Sequence, residues 1–213
     1  MDGAKPTSAL GSMEDIRAFE NVPLASRRLP QSTYEALKHG AAIDPDAPAI
    51  TYFADASQLD RPRVWTHRAF LETIHRTANA LRRLGIGRND VVAYVLPNLP
   101  ETHLIVWGGS AAGQVLAVNP MLDPTQIEEL MRAAGAKILV TVDESISPDI
   151  HQRAIRAARN LATVLLCGNA PQSGSFWEEI RGEHADGLNF ETPRATDVST
   201  LLCTGGTTGL PKI

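Results

Sequence analysis

From Asp90 onward the apolar positions fall into short solid runs, separated by longer stretches in which they recur every three or four residues. The runs are VVAYVL (91–96), QVLAVN (114–119), KILVTV (137–142) and ATVLLC (162–167). Each is short and apolar on both faces, which predicts strands buried on both sides. Between them PETHLIVWGGSAAG opens on a proline, DPTQIEELMRAAG offers Asp123 as N-cap with Pro124 at its first position, and SPDIHQRAIRAARN opens with Ser147 and Pro148. These stretches predict helices. Short strands alternating with helices long enough to cross over imply an α/β fold: a mostly parallel sheet with helices on both faces.

Upstream, PAITYF (48–53) and RPRVWTH (61–67) flank a polar turn and predict a hairpin. The stretch that follows sets Phe70, Ile74, Ala78, Leu81 and Leu84 on one helical face, with Thr66 as N-cap and Gly85 as the stop. Residues 168–196 are rich in Gly, Pro and polar residues, with one short helix expected around 176–180, and read as a long surface connection. DVSTLLC (197–203) returns as a last strand. The opening MDGAKPTSALGSM is small and polar, either a native disordered arm or a remnant of cloning. Residues 1–29 are therefore expected to be an N-terminal arm and 30–213 the α/β region.

Composition narrows the function classes. A net charge of −4 argues against broad nucleic-acid or anionic-membrane surfaces, and Arg82-Arg83 and Arg153-Arg156-Arg159 read as solvated helix faces. No apolar stretch approaches the roughly 20 residues that span a bilayer, and the first twenty residues lack a signal-like apolar centre, so a cytoplasmic location is expected. Cys167 and Cys203 each close an apolar run and read as buried core thiols, not as a disulfide or a metal pair. The histidines show no metal spacing, and no metal ligand is assigned.

The chemistry concentrates where the last strand empties into TGGTTGLPK (204–212). Gly205, Gly206 and Gly209 let the backbone approach a ligand closely, and successive N–H groups in such a turn converge into an anion nest. Thr204, Thr207 and Thr208 add hydroxyl donors, and Lys212 adds a charge on a long stem. A tight turn of small residues would explain the glycine-threonine cluster alone; Pro211-Lys212 directly after it favours a polyphosphate. It is not a Walker loop, since Lys212 follows a proline and no Ser or Thr follows the lysine.

This stretch resembles the phosphate-loop signature of the adenylate-forming enzymes, T-S-G-T-T-G-x-P-K-G, the superfamily of acyl-CoA synthetases, peptide-synthetase adenylation domains and beetle luciferases. Gly205 stands where the family usually has Ser, and Ile213 where it usually has Gly. The resemblance extends through residues 81–141: a helix ending in Leu-Gly, a strand ending in Leu-Pro-Asn, a helix, then Val118-Asn119-Pro120, which is closer to acyl-CoA synthetases. It implies the N-terminal portion of a fatty- or aryl-acyl-CoA synthetase over about residues 30–213, truncated at its phosphate loop. The full-length enzyme would then join a carboxylic acid to coenzyme A through acyl-AMP, using ATP and Mg²⁺. Thr204, Gly205, Gly206, Thr207, Thr208, Gly209 and Lys212 would hold the phosphates, with Lys212 the catalytic cation. The rest of the machinery would lie downstream, so this chain alone is expected to be inactive. The alternative is a stand-alone phosphate-binding or interaction module without turnover.

Other residues are read plainly. Asn98 and Asn119 lie just past strand ends and are expected to be turn or cap residues, Trp107 a core residue, and Glu128-Glu129 and Glu178-Glu179 solvated pairs.

Overall fold

The computed structural model describes residues 11–27, 29–168 and 174–203. The chain divides into two compact units, Met1–Pro30 and Gln31–Ile213. In the first, α1 (Met13–Glu20) is held by a capping box in which Ser12 and Asp15 each accept the other's backbone N–H. Arg27 closes this unit by donating to Phe19 O at 2.6 Å while its guanidinium lies 4.0 Å from the Phe19 ring centre.

The second unit opens with α2 (Thr33–Ile43), the antiparallel hairpin of β1 (Pro48–Tyr52) and β2 (Arg63–Thr66), and α3 (His67–Arg83). Thr66 caps α3, its hydroxyl accepting from Ala69 N at 3.2 Å, and Gly85 at φ 91° turns the chain out of the helix. Then follow β3 (Val91–Val95), α4 (Pro100–Ala112), β4 (Gln114–Ala117), α5 (Pro124–Ala134), β5 (Ala136–Val142), α6 (Pro148–Ala157), β6 (Thr163–Cys167), α7 (Phe176–Arg181) and β7 (Thr200–Leu202). Five strands form one parallel sheet in the order β6-β5-β3-β4-β7.

Alternation along each strand builds two cores. Val92, Ile138 and Val140 face α2, α3, α4 and α7; Val91, Ala93, Val95 and Leu139 face α5 and α6. The expected parallel sheet covered on both faces is thus the observed one. On its first face α4 lies close between α3 and β4. A Cβ at Gly108 would come within 2.7 Å of the Thr77 side chain, and one at Gly109 within 2.5 Å of Val115 Cγ2.

α5 shows how its ends are set. Asp123 Oδ1 accepts from Thr125 N at 2.9 Å and Gln126 N at 3.0 Å, Gln126 Oε1 accepts from Asp123 N, and Gly135 closes the helix at φ 67°. Asp123→Ala is expected to cost about 1 kcal/mol. Its thermal midpoint should fall by roughly 2–4 °C in a chain of this size, read by circular dichroism.

Three expectations need correction. The connection 168–196 is not a loose surface loop: Phe176 and Ile180 are 1% and 3% exposed within the first core. Residues 181–190 are strapped onto α3, where Arg76 donates to Arg181 O and Glu183 O, Asn79 bonds three backbone groups, and His75 Nδ1 donates to Ala185 O at 2.6 Å. The Arg82-Arg83 face is solvated only in part. Arg83 bonds Glu179 and Glu183, so Glu179 is also taken up, and the Arg82 guanidinium lies 4.3 Å from the Phe190 ring centre. Finally, the run ending at Cys203 is half exposed, because among the described residues β7 lies at the sheet edge with Leu202 turned outward.

Candidate functional site

In parallel sheets ligands gather in the crevice beyond the carboxyl ends of the strands, where successive crossovers leave for opposite faces. Here β3 is the strand that meets this condition, against β4 on one side and β5 on the other. The chain leaving β3 turns to α4 on one face, and the chain leaving β4 turns to α5 on the other. Thr141 Oγ1 donates to Val95 O at 2.9 Å and ties the end of β3 to β5. Thr102 Oγ1 donates to Pro97 O at 2.8 Å and fixes the turn into α4, whose first residue, Pro100, has no N–H to satisfy. After β4, Val118 N donates to Tyr94 O, and Asn119 Oδ1 accepts from Met121 N at 2.9 Å. Asn119 is therefore a turn residue, as expected, and Asn98 is exposed.

β7 runs beside β4, with Leu202 opposite Ala117. Cys203 Sγ lies 3.7 Å from Ala117 O, and burial raises its thiol pKa. The chain therefore arrives at the carboxyl edge, beside β4, one residue before the glycine-threonine run. The candidate phosphate residues themselves, Thr204, Gly205, Gly206, Thr207, Thr208, Gly209 and Lys212, lie outside the described residues. What the structure adds is the strand that delivers them.

The remaining candidates resolve simply. Cys167 and Cys203 are free thiols. Among the described residues no group of His, Cys, Asp and Glu could hold a metal ion, and no helix is long and apolar enough to cross a membrane. Trp107 is half-buried against the first core. Glu128 accepts from Arg159 and Asn160 and joins α5 to the end of α6.

One residue escaped the sequence reading. Glu101, the second residue of α4, is only 8% exposed and lines a cleft at the far half of the same carboxyl edge, beyond β3, β5 and β6. In sequence it looks like any acidic residue in a first helical turn.

Comparison with known proteins gives the site a context. Residues 37–213 match the family described as AMP-binding enzyme. A marinolic acid–CoA ligase of Pseudoalteromonas sp. (strain SANK 73390) is 28% identical over 207 residues, covering 95% of this chain and 32% of the relative. A 4-coumarate–CoA ligase 1 of Oryza sativa subsp. japonica is 31% identical over 212 residues, covering 94% and 34%. The chain thus spans about a third of the length of these curated relatives. Its fold matches a long-chain-fatty-acid-CoA ligase from Archaeoglobus fulgidus with a TM-score of 0.72 at 19% identity, over 86% of this chain and 36% of that one. It matches an acyl-CoA synthetase from Brucella canis with a TM-score of 0.62 at 21% identity, over 78% and 30%.

Proposed function

The chain belongs to the AMP-binding enzyme family and resembles the N-terminal part of acyl- and aryl-CoA ligases, and from that premise we propose that it supplies the triphosphate-holding part of an ATP-dependent carboxylate–CoA ligase. In the longer protein a carboxylate attacks the α-phosphorus of ATP, pyrophosphate leaves, and the acyl group of acyl-AMP passes to the thiol of coenzyme A. The observation that supports this reading is where β7 ends: beside β4, at the carboxyl edge of the sheet, with TGGTTGLPK following one residue later.

The difficulty in such a reaction is charge, since an anion must approach a polyanion and further charge must leave on pyrophosphate. Donors fixed beforehand around the β- and γ-phosphates lower that barrier. Gly205, Gly206 and Gly209 would offer backbone N–H groups, Thr204, Thr207 and Thr208 hydroxyls, and Lys212 an ammonium able to follow the leaving pyrophosphate. This donor set suits a magnesium triphosphate, and bound Mg²⁺ would supply further neutralisation of the phosphate oxygens.

The test is carboxylate-dependent exchange of labelled pyrophosphate into ATP, across a panel of aromatic and fatty acids. Residues 1–213 alone are expected to show none, because orienting acid and nucleotide supplies much of such a rate and requires groups on both sides of the phosphates. A protein extended to the length of the relatives is expected to show exchange with at least one acid. Exchange by residues 1–213 alone, or none by the extended protein with any acid, would overturn the proposal.

A further inference from the structure

The cleft that Glu101 lines measures about 660 Å³, within the range of small-ligand pockets. The turns after β3, β5 and β6 enclose it from below, and the hairpin and α7 from the sides. Tyr52 and Trp65 from the hairpin and Trp177 from α7 bring aromatic surface to it, the two indoles meeting edge to face at 6.1 Å. Among the described residues β6 and β7 form opposite edges of the sheet, so the cleft lies away from the end of β7.

Its lining includes the carboxylate of Glu101. Glu101 Oε1 accepts from Trp177 Nε1 at 3.2 Å, and Asp143, 4% exposed, accepts from Ser145 behind Gly168. Neither carboxylate is in ion-pair contact with a Lys, Arg or His side chain among the described residues. Burial first, then Glu101 and Asp143, raise the thiol pKa of Cys167 well above the ordinary value. Buried charges are ordinarily paired, and the partial charge at the start of α4 offsets only a fraction of one carboxylate.

We propose that this cleft binds a small organic ammonium ion, with the Glu101 carboxylate against the charge and Tyr52, Trp65 and Trp177 against the alkyl groups. Carboxylate and indole attract an organic cation together, and the aromatic walls give its carbon surface a place out of water. A bare divalent cation fits poorly, since one carboxylate among aromatic rings falls far short of the 6–8 oxygens a calcium ion takes. Arg63 also lines the cleft and opposes a cation. Its side chain is exposed, however, and a solvated charge acts through an effective dielectric of about 80 against about 20 for the buried Glu101.

The experiment follows tryptophan fluorescence of the 213-residue chain at constant ionic strength. Choline is titrated alongside its neutral isostere 3,3-dimethyl-1-butanol and magnesium chloride. Choline is expected to bind saturably with a Kd of roughly 1 mM, at least about tenfold tighter than the alcohol. Glu101→Gln keeps an acceptor for Trp177 and is expected to weaken choline about tenfold or more without changing the response to the alcohol. If that variant fails to fold, Trp65→Leu, on the hairpin, is expected to weaken choline likewise. No saturable choline response, equal binding of choline and the alcohol, unchanged choline binding in a folded variant, or displacement of choline by magnesium beyond the effect of matched sodium chloride would each overturn the proposal.

Discussion

Asn79→Ala is expected to lower stability by about 4 kcal/mol, with a thermal midpoint roughly 8–16 °C below that of the unaltered chain. Asn79 is fully buried on α3. Its Nδ2 donates to His184 O and Gly187 O, each at 2.9 Å, and its Oδ1 accepts from Asn189 N at 3.0 Å. Alanine removes all three partners at once. An unpaired buried polar group costs about 1–3 kcal/mol, and the small side chain adds a void. Denaturant melting gives the magnitude, and hydrogen exchange at the Asn189 amide shows its origin, since that N–H should lose its protection. A loss below about 1 kcal/mol, with Asn189 still protected, would mean that residues 184–189 are held on α3 by other contacts.

The largest effect on chemistry is expected at Lys212, in a protein extended to the length of the relatives. Lys212→Ala should slow acyl-AMP formation by about 10²-fold or more, the usual scale for removing one group that meets developing charge. On the proposed function the thermal midpoint should stay where it is, because the ammonium would act on phosphate charge. Single-turnover adenylation and thermal melting on the same preparation separate the two roles. A fallen midpoint with unchanged adenylation would make Lys212 structural.

Local signals were the readable part of this fold. The bounds of α5 follow from Asp123-Pro124 at one end and Gly135 at the other, both of which act within a few residues. Strand order does not follow from such signals. The solid apolar runs require burial on both faces but leave the neighbours open, and placing β7 beside β4 depends on pairing Val115 with Thr200. Residues 182–190 were misread because Gly, Pro and polar side chains look alike whether their carbonyls face water or the side chains of His75, Arg76 and Asn79. Glu101 was missed for a related reason. What buries it includes Trp177, 76 positions away, and nothing near Glu101 in sequence announces that indole. The glycine-threonine run stood out in the sequence, but that the strand before it lies beside β4 did not.

The pairing of β4 with β7 also bears on how the chain emerges during synthesis. One side of β4 finds β3 early, while its other side must wait for Thr200–Leu202. At about 5–20 residues per second, that row of N–H and C=O groups stays open for roughly 4–17 s. The centre of β4, Val115-Leu116, is apolar, so the nascent sheet carries an open apolar edge during the interval. Slowed translation between Asp123 and Ser199 should lengthen the exposure and lower the soluble yield.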